Sequence, residues 1–175
     1  MIMSDFWVFG YGSLMWKPGF FYDDAIWTRI FGYHRSLCIY STCHRGTKEV
    51  PGLVLGLDQG GSCQGMAFHV PKEKAQETYA YLREREQPTG VYNEKWVDVV
   101  CEKDKKLRAL TFVADRKHVQ YAGNLPMEKM YKMVKNAKGA SGHNIDYVVN
   151  TTKLLREKNI HDKQLERLTF LLQQN

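Results

Sequence analysis

Residues 9–16 read FGYGSLMW, a glycine turn that follows an apolar segment. The spacing of its glycines indicates which nucleotide-binding folds the chain can adopt. The apolar residues 6–9 predict a short buried strand that runs directly into a glycine turn. A dinucleotide-binding turn needs a third glycine three positions after the second, and Met15 occupies that position. A P-loop needs a Gly-Lys-Ser/Thr ending, which this turn lacks. The sequence therefore excludes both nucleotide-binding motifs.

The glycine turn itself has two interpretations. Gly10 and Gly12 allow successive backbone N–H groups to converge on one point, which suits a carboxylate or a phosphate. The alternative is a tight turn that leaves a strand and binds nothing, and the eight residues alone favour it. Both interpretations stay open until other parts of the chain are considered.

Predicted strands dominate the early part of the chain, and helices follow. The strands cover residues 6–9, 35–40, 53–57, 64–70, 96–100 and 107–113. Residues 53–57 and 64–70 form a predicted hairpin through DQGGS (58–62), and 96–100 and 107–113 form a second hairpin around a charged tip. The helices cover residues 72–86, 127–138 with Gly139 as C-cap, 145–157, and 163–173 with Asp162 as N-cap. This order predicts one α+β domain over residues 1–175, a small mixed β-barrel or curved sheet flanked by helices.

Composition and charge limit the kinds of binding partner that we expect. The 175 residues carry a net charge of +6, which favours small anionic ligands by electrostatic steering. The basic residues are scattered, so we expect no nucleic acid partner. No apolar stretch is long enough to span a bilayer, and the start MIMSDFWVFG lacks the features of a signal peptide. The sequence does not predict an oligomeric state.

The cysteines and histidines indicate neither disulfides nor a metal site. Four cysteines contain no CxxC pair, so free thiols in a reducing cytoplasm are expected. The cluster of His34, Cys38, Cys43 and His44 matches no familiar zinc spacing. We therefore expect no metal.

A carboxylate at the end of the first predicted helix is unusual. At 100° per residue, one narrow stripe contains Ala75, Tyr79, Leu82 and Glu86. Glu84 points to the opposite, solvated side. Glu86 would then be partly desolvated and face the negative end of the helix dipole, and both effects raise the pKa of its carboxyl towards the range of a general base. An ion pair with a neighbouring arginine, or a frayed last turn, explains the same position without function.

Four segments resemble the ChaC-type gamma-glutamylcyclotransferases in the same order along the chain. They are VFGYGSLMW (8–16), STCHRG (41–46), REREQPTGVY (83–92) and GASGHNIDYV (139–148). The resemblance implies a small mixed β-barrel with flanking helices, activity chiefly on glutathione with release of 5-oxoproline and cysteinylglycine, and no cofactor. Three positions depart from the family pattern: Cys43, where Asp is frequent, and His143 and Asp146, where Arg and Glu are frequent.

The resemblance also implies roles for individual residues. Glu86 becomes the catalytic acid/base, and the loop that binds the gamma-glutamyl group consists of Gly10, Tyr11, Gly12, Ser13, Leu14 and Met15. Tyr92 is expected to position Glu86 or the γ-carbonyl, or to be a core tyrosine. Arg45 is expected to meet the second carboxylate of the substrate, or to form a structural ion pair. Tyr147 and Asn144 are weaker candidates for substrate contact.

Two further functions stay open at this stage. One is a cyclotransferase for gamma-glutamyl amino acids or amines. The other is a module without catalytic activity that binds small anions and regulates a partner; its usual sign is a missing acidic residue, and Glu86 is present.

Overall fold

A computed structural model describes residues 4–174. Residues 1–3 and 175 lie outside the described residues. The predicted single domain includes all four of them, and the stretch MIMSDFWVFG includes the first three. The chain divides into two compact units. The first contains the described residues up to Arg35 together with Leu57–Asp115, and the second contains Ser36–Gly56 and the residues from Arg116 onwards. The single domain over residues 1–175 stays a prediction.

A closed mixed barrel is the main feature of the sheet. The barrel strands are β1 (Phe6–Gly10), β2 (Asp24–Ser41), β3 (Gly52–Val70), β4 (Tyr92–Val100) and β5 (Lys106–Ala114). They follow one another around the barrel in the order β1-β3-β2-β4-β5. β1 pairs antiparallel with β3 and parallel with β5, which makes the barrel mixed. The predicted α+β class with a small mixed barrel is therefore confirmed.

Alternating side chains explain the hairpin of β4 and β5. Val97 and Val99 are buried, whereas Trp96 and Asp98 are exposed, as expected for a strand with one face towards the core. Val97 lies opposite Ala109 in the antiparallel register. The predicted second hairpin is therefore confirmed, with β4 beginning four residues earlier than expected.

The predicted first hairpin is wrong, because β3 is one continuous strand. Gly60 and Gly61 lie in its middle with φ of +100° and +68°. These left-handed conformations bend a strand without reversing it. The Nδ1 atom of His34, on β2, is hydrogen bonded to the carbonyl oxygen of Gly60 at 2.9 Å. The predicted strand 35–40 is the last part of β2, whose first part was not predicted.

Four helices and a small ribbon complete the described chain. The helices are α1 (Lys72–Glu86), α2 (Met127–Asn136), α3 (Asn144–Glu157) and α4 (Lys163–Gln173). The ribbon pairs β6 (Lys138–Gly139) with β7 (Gly142–His143). The side chain of Asp162 accepts a hydrogen bond from the backbone N–H of Leu165 at 3.0 Å, which confirms the predicted N-cap of α4.

The predicted role of Gly139 as a helix cap is wrong. α2 ends at Asn136, and Gly139 lies in β6. A Cβ atom at Gly139 would collide with the carbonyl oxygen of Cys43, so close backbone packing requires the glycine.

Within residues 4–174, no helix combines the length and the apolar character that a bilayer crossing requires.

His69 connects the beginnings of two barrel strands. Its Nδ1 atom lies 2.5 Å from Oδ1 of Asp23, just before β2, and its Nε2 atom lies 3.0 Å from Oδ2 of Asp5, just before β1. Hydrogen bonds to Asp23 and then Asp5 raise the pKa of the His69 imidazole, although burial opposes this shift. The imidazolium therefore stabilises the folded barrel more than the neutral ring does.

We predict a pH-dependent loss of stability for His69→Gln. Because the folded pKa of His69 is raised, its contribution is fully present below the ordinary histidine pKa of about 6.5 and is lost as the pH rises through the folded value. Urea unfolding at pH 5.5 and pH 9 measures the effect. The variant should lose more free energy of unfolding, relative to wild type, at pH 5.5. An equal loss at both pH values would contradict the interpretation.

Candidate active site

The glycine loop begins where the pairing of β1 ends. Gly10 lies opposite Met66, and the chain then forms one turn of 3₁₀ helix over Ser13–Met15. The backbone N–H of Met15 donates to the carbonyl of Gly12 at 2.9 Å. Leu14 and Met15 are buried, and Ser13 is exposed. The apolar side chains therefore anchor the loop and leave its serine accessible.

Close backbone approach explains two glycines around the loop. A Cβ atom at Gly10 would lie 2.9 Å from Cβ of Leu14, which is shorter than side chains tolerate. A Cβ atom at Gly65, on β3, would collide with the carbonyl oxygen of Gly10. The loop therefore folds back on the end of β1 only because neither position carries a side chain.

Arg35 braces the loop from the side and was missed as a site residue by the sequence analysis. It is buried, its Nε donates to the carbonyl of Tyr11 at 2.5 Å, and its Nη2 donates to the carbonyl of Gln64 at 2.8 Å. The signal in the sequence was an arginine at the start of an apolar predicted strand, since a buried arginine requires hydrogen-bond partners.

The end of α1 carries the glutamate that the helix periodicity indicated. Ala75 and Leu82 are buried, and 17% of the Glu86 side chain is exposed. Glu84 is exposed. The predicted division of the two glutamates between a buried and a solvated face is therefore confirmed.

Burial dominates the electrostatics of Glu86. Desolvation raises the pKa of its carboxyl above the usual glutamate range, and the cation of Arg85 lowers it by a smaller amount. Nε of Arg85 lies 3.3 Å from Oε1 of Glu86. The carboxyl group also lies at the last residue of α1, where the helix dipole disfavours a negative charge. The result is a carboxylate that takes up a proton more readily than an exposed glutamate.

Arg85 connects this carboxylate with the glycine loop. Its Nη2 donates to Oγ of Ser13 at 2.9 Å, and its Nη1 donates to the carbonyls of Lys17 and Pro18 at 2.8 and 2.9 Å. The first unit therefore brings the loop and Glu86 together through one guanidinium group.

Tyr92, the first residue of β4, is half-buried. It packs against the apolar cluster that also contains Leu14 of the loop. This position agrees with a core tyrosine, which is the alternative to a tyrosine that positions Glu86 or the γ-carbonyl.

The remaining predicted residues lie in the second unit. Nη1 of Arg45 donates to the carbonyl of His143 at 3.2 Å, and its guanidinium lies 5.6 Å from the ring centre of Tyr147. The hydroxyl of Tyr147 accepts a hydrogen bond from the N–H of Leu55 at 3.0 Å. The structure therefore brings Arg45 and Tyr147 together.

Asn144 joins the start of α3 to the backbone of β3. It is fully buried at the first residue of α3, and its side-chain amide pairs with both backbone polar groups of Leu53, at 2.7 and 2.8 Å. The amide thus takes the place of a neighbouring strand.

Within residues 4–174, no group of three or more His, Cys, Asp and Glu side chains is arranged to hold a metal ion.

The chain is an α+β barrel protein in which a glycine loop and a largely buried carboxylate meet through Arg85. The family model described as ChaC-like protein matches residues 6–175. The chain belongs to the ChaC-like family.

Individual relatives agree with this assignment. The glutathione-specific gamma-glutamylcyclotransferase of Escherichia coli (strain K12) is 30% identical over 93% of this chain and 70% of its own length. The glutathione-specific gamma-glutamylcyclotransferase 1 of Mus musculus is 36% identical over 86% of this chain and 69% of its own. A crystal structure of a selenomethionine-labelled gamma-glutamyl cyclotransferase specific to glutathione, from yeast, superposes with a TM-score of 0.87 at 24% identity, covering 98% of this chain and 96% of that one. This last likeness concerns the fold.

We predict that Glu86→Gln stabilises the folded protein at pH 7. Because the pKa of Glu86 is raised on folding, its ionised form destabilises the folded state, and a neutral isostere removes that cost. The gain should disappear as the pH falls below the unfolded glutamate pKa of about 4.3. Thermal unfolding from pH 4 to pH 8 measures it. Glu84→Gln is the control and should change stability by no more than about 0.5 kcal/mol; a lower Tm for Glu86→Gln at pH 7 would contradict the prediction.

Proposed function

We propose that this chain cleaves glutathione to 5-oxoproline and cysteinylglycine, with Glu86 as the general acid/base. The observation that carries the proposal is the largely buried carboxylate of raised pKa, which Arg85 connects with the glycine loop. The names of the Escherichia coli and mouse relatives support glutathione as the substrate.

The proposed reaction is an intramolecular aminolysis. The α-amino nitrogen of the glutamyl group attacks its own γ-carbonyl carbon, and a five-membered lactam forms. The amide bond to the cysteine nitrogen breaks, and cysteinylglycine departs. The attacking nitrogen loses a proton and the departing nitrogen gains one, so the reaction is balanced without water, a protein nucleophile or a cofactor. One carboxylate placed between the two nitrogens performs both transfers.

The environment of Glu86 suits this task. An exposed glutamate is too weak a base to take a proton from an amine efficiently near neutral pH. Burial raises the pKa of Glu86, and the Arg85 cation keeps the ionised form accessible. A pKa closer to the working pH improves both the uptake and the release of the proton.

The glycine loop is proposed to bind the glutamyl group through residues 10–15. Its backbone approaches β1 closely, and Arg35 and Arg85 hold it with hydrogen bonds to Tyr11 and Ser13. A rigid loop that holds the α-carboxylate restricts the flexible glutamyl chain to a curled conformation, in which the amino group lies close to the γ-carbonyl. These contacts support the carboxylate-binding interpretation of the glycine turn.

The other predicted contacts are retained as proposals. Tyr92 packs against the apolar cluster that contains Leu14 and would support the loop from the core. Arg45 is proposed for the second carboxylate of the substrate, and the ring of Tyr147 beneath its guanidinium would hold the cation in place. The single domain over residues 1–175 is supported by a family match that runs through both units. A cytoplasmic location is supported by four free thiols.

One assay separates the candidate substrates. Purified protein is incubated with glutathione, with gamma-glutamyl dipeptides that lack cysteine, and with a gamma-glutamyl amine, and 5-oxoproline is measured. Release from glutathione alone supports the proposal. Release from the other compounds at equal or higher kcat/KM would replace it with a broader cyclotransferase, and binding without release would indicate a regulatory module.

We predict that Glu86→Gln folds and loses nearly all turnover. Glutamine keeps the shape of the side chain but cannot carry a proton between the two nitrogens, and general acid–base groups contribute about 10²–10⁴-fold in rate. Glu84→Gln, on the exposed face of the same helical turn, is the matched control and should keep near-normal turnover. The assignment fails if Glu86→Gln retains more than about a tenth of wild-type kcat, or if Glu84→Gln is the inactive variant.

We predict that Gly10→Ala weakens glutathione binding. The added methyl group contacts Cβ of Leu14 at 2.9 Å, so the loop must move away from β1. Overpacking typically costs about 1–3 kcal/mol, and 1.4 kcal/mol equals a tenfold change in affinity. If the loop recovers its binding geometry only at this cost, KM should rise about 5- to 150-fold, while far-UV circular dichroism stays unchanged. Wild-type KM in the folded variant would rule out the loop as the binding element.

A further inference from the structure

The Arg85 side chain makes an unusually complete set of contacts for a residue of a helix end. Its side chain is 22% exposed. Nη1 contacts three acceptors, which are the carbonyls of Lys17 and Pro18 and the hydroxyl of Tyr81. Nη2 contacts Ser13, and Nε faces Glu86. Each of the three guanidinium nitrogens therefore has a partner, and three of these partners belong to the loop and the segment after it.

The segment after the loop is fitted to the same side chains. Gly19 has φ of +77°, and a Cβ atom there would collide with the hydroxyl of Tyr81. The ring of Phe20 lies 6.4 Å from the ring of Tyr81. Tyr81 thus docks against the chain that leaves the loop, and its hydroxyl accepts a hydrogen bond from Arg85 at 3.0 Å. Arg85 and Tyr81, one helical turn apart, form one surface against which residues 17–20 pack.

We propose that Arg85 is a positioning residue, whose guanidinium holds the glycine loop and the Glu86 carboxylate in one fixed arrangement. This inference rests on the proposed function. In the reaction, the loop binds the glutamyl carboxylate and Glu86 moves the proton. Their separation decides whether the amino group lies within reach of both the base and the γ-carbonyl. A displacement of about 1 Å in such an arrangement costs about a hundredfold in rate.

The geometry separates two tasks of the guanidinium. The tether is the set of hydrogen bonds to Ser13, Lys17, Pro18 and Tyr81, and the charge acts on Glu86. Among the charged groups of residues 4–174, Arg85 is the one that lowers the pKa of the Glu86 carboxyl. Arg83 points elsewhere and lies 3.8 Å from Glu94 of β4. Glu94 in turn accepts a hydrogen bond from Tyr79.

A lysine at position 85 would keep the charge but not the tether. One ammonium group cannot reach acceptors that lie on several sides of a planar guanidinium. A glutamine would lose both. Tyr81→Phe and Ser13→Ala each remove one tether contact, leave the charge in place, and conserve the shape of the side chain closely enough to fold.

The test combines kinetics with a measurement that needs no substrate. The pH dependence of kcat/KM for glutathione is recorded for wild type, Arg85→Gln, Arg85→Lys, Ser13→Ala and Tyr81→Phe. The pKa of Glu86 in the free protein is followed by ¹³C NMR of its carboxyl carbon. Arg83→Gln is the control, because Arg83 is a neighbouring, 57% exposed arginine whose Nε lies 3.8 Å from Glu94 of β4.

Distinct outcomes are expected for charge and tether. Arg85→Gln should lower kcat/KM about a hundredfold and shift the acid limb and the NMR titration of Glu86 to higher pH. Arg85→Lys should lose kcat/KM to a similar extent with a smaller pH shift. Ser13→Ala and Tyr81→Phe should raise KM without a pH shift, and Arg83→Gln should resemble wild type.

Two results would overturn the inference. One is an Arg85→Gln variant with wild-type kcat/KM and an unchanged Glu86 titration. The other is a pH shift in Arg85→Gln combined with wild-type KM values in Ser13→Ala and Tyr81→Phe. Arg85 would then act on Glu86 through its charge alone. A wild-type protein that releases no 5-oxoproline would refute the proposed function instead. In that case the NMR titration of Arg85→Gln still tests whether Arg85 controls Glu86.

Discussion

The two-sided pairing of β1 is the constraint on which the first unit depends. This strand is only five residues long, yet it is hydrogen bonded antiparallel to β3 and parallel to β5, and so closes the barrel. The hydroxyl of Thr111, on β5, also donates to the carbonyl of Phe9 at 3.1 Å. The last residues of β1 therefore have little freedom, and the glycine loop starts from a fixed point. A site built on such an element keeps its geometry better than one on a free loop.

Glu86 illustrates how stability and chemistry are opposed at this site. Its burial raises the pKa of the carboxyl, so the ionised form costs the fold stability. The same burial gives the carboxylate the proton affinity that a general base needs. Arg85 moderates the cost without removing it, since burial remains the larger effect. A complete neutralisation by a second cation would stabilise the fold and weaken the base.

Local patterns predicted the parts of the fold that depend on local geometry. The β4–β5 hairpin, the extent of α1 and the different faces of Glu84 and Glu86 follow from periods of two and 3.6 residues. Gly60–Gly61 and Gly139 were misassigned because a glycine signals an unusual backbone or a close approach, and both a turn and a bent strand satisfy that signal. Arg35 and Arg85 donate to loop residues that lie 24 and 72 positions away in the sequence. A local sequence pattern therefore cannot predict these contacts.

The order Arg85–Glu86 at the end of α1 gives one helical turn two different tasks. Successive helical residues point about 100° apart, so one side chain reaches the loop while the next closes the apolar stripe. The helix dipole favours a cation and disfavours an anion in the last turn. Arg85 is therefore stabilised where it stands, and Glu86 is not, which adds to the effect of burial on its carboxyl. The exchange of these two residues would place the carboxylate at Ser13 and the cation against the apolar face. The order of the pair, as much as its composition, thus determines which group meets the loop and which group lies against the apolar face with a raised pKa.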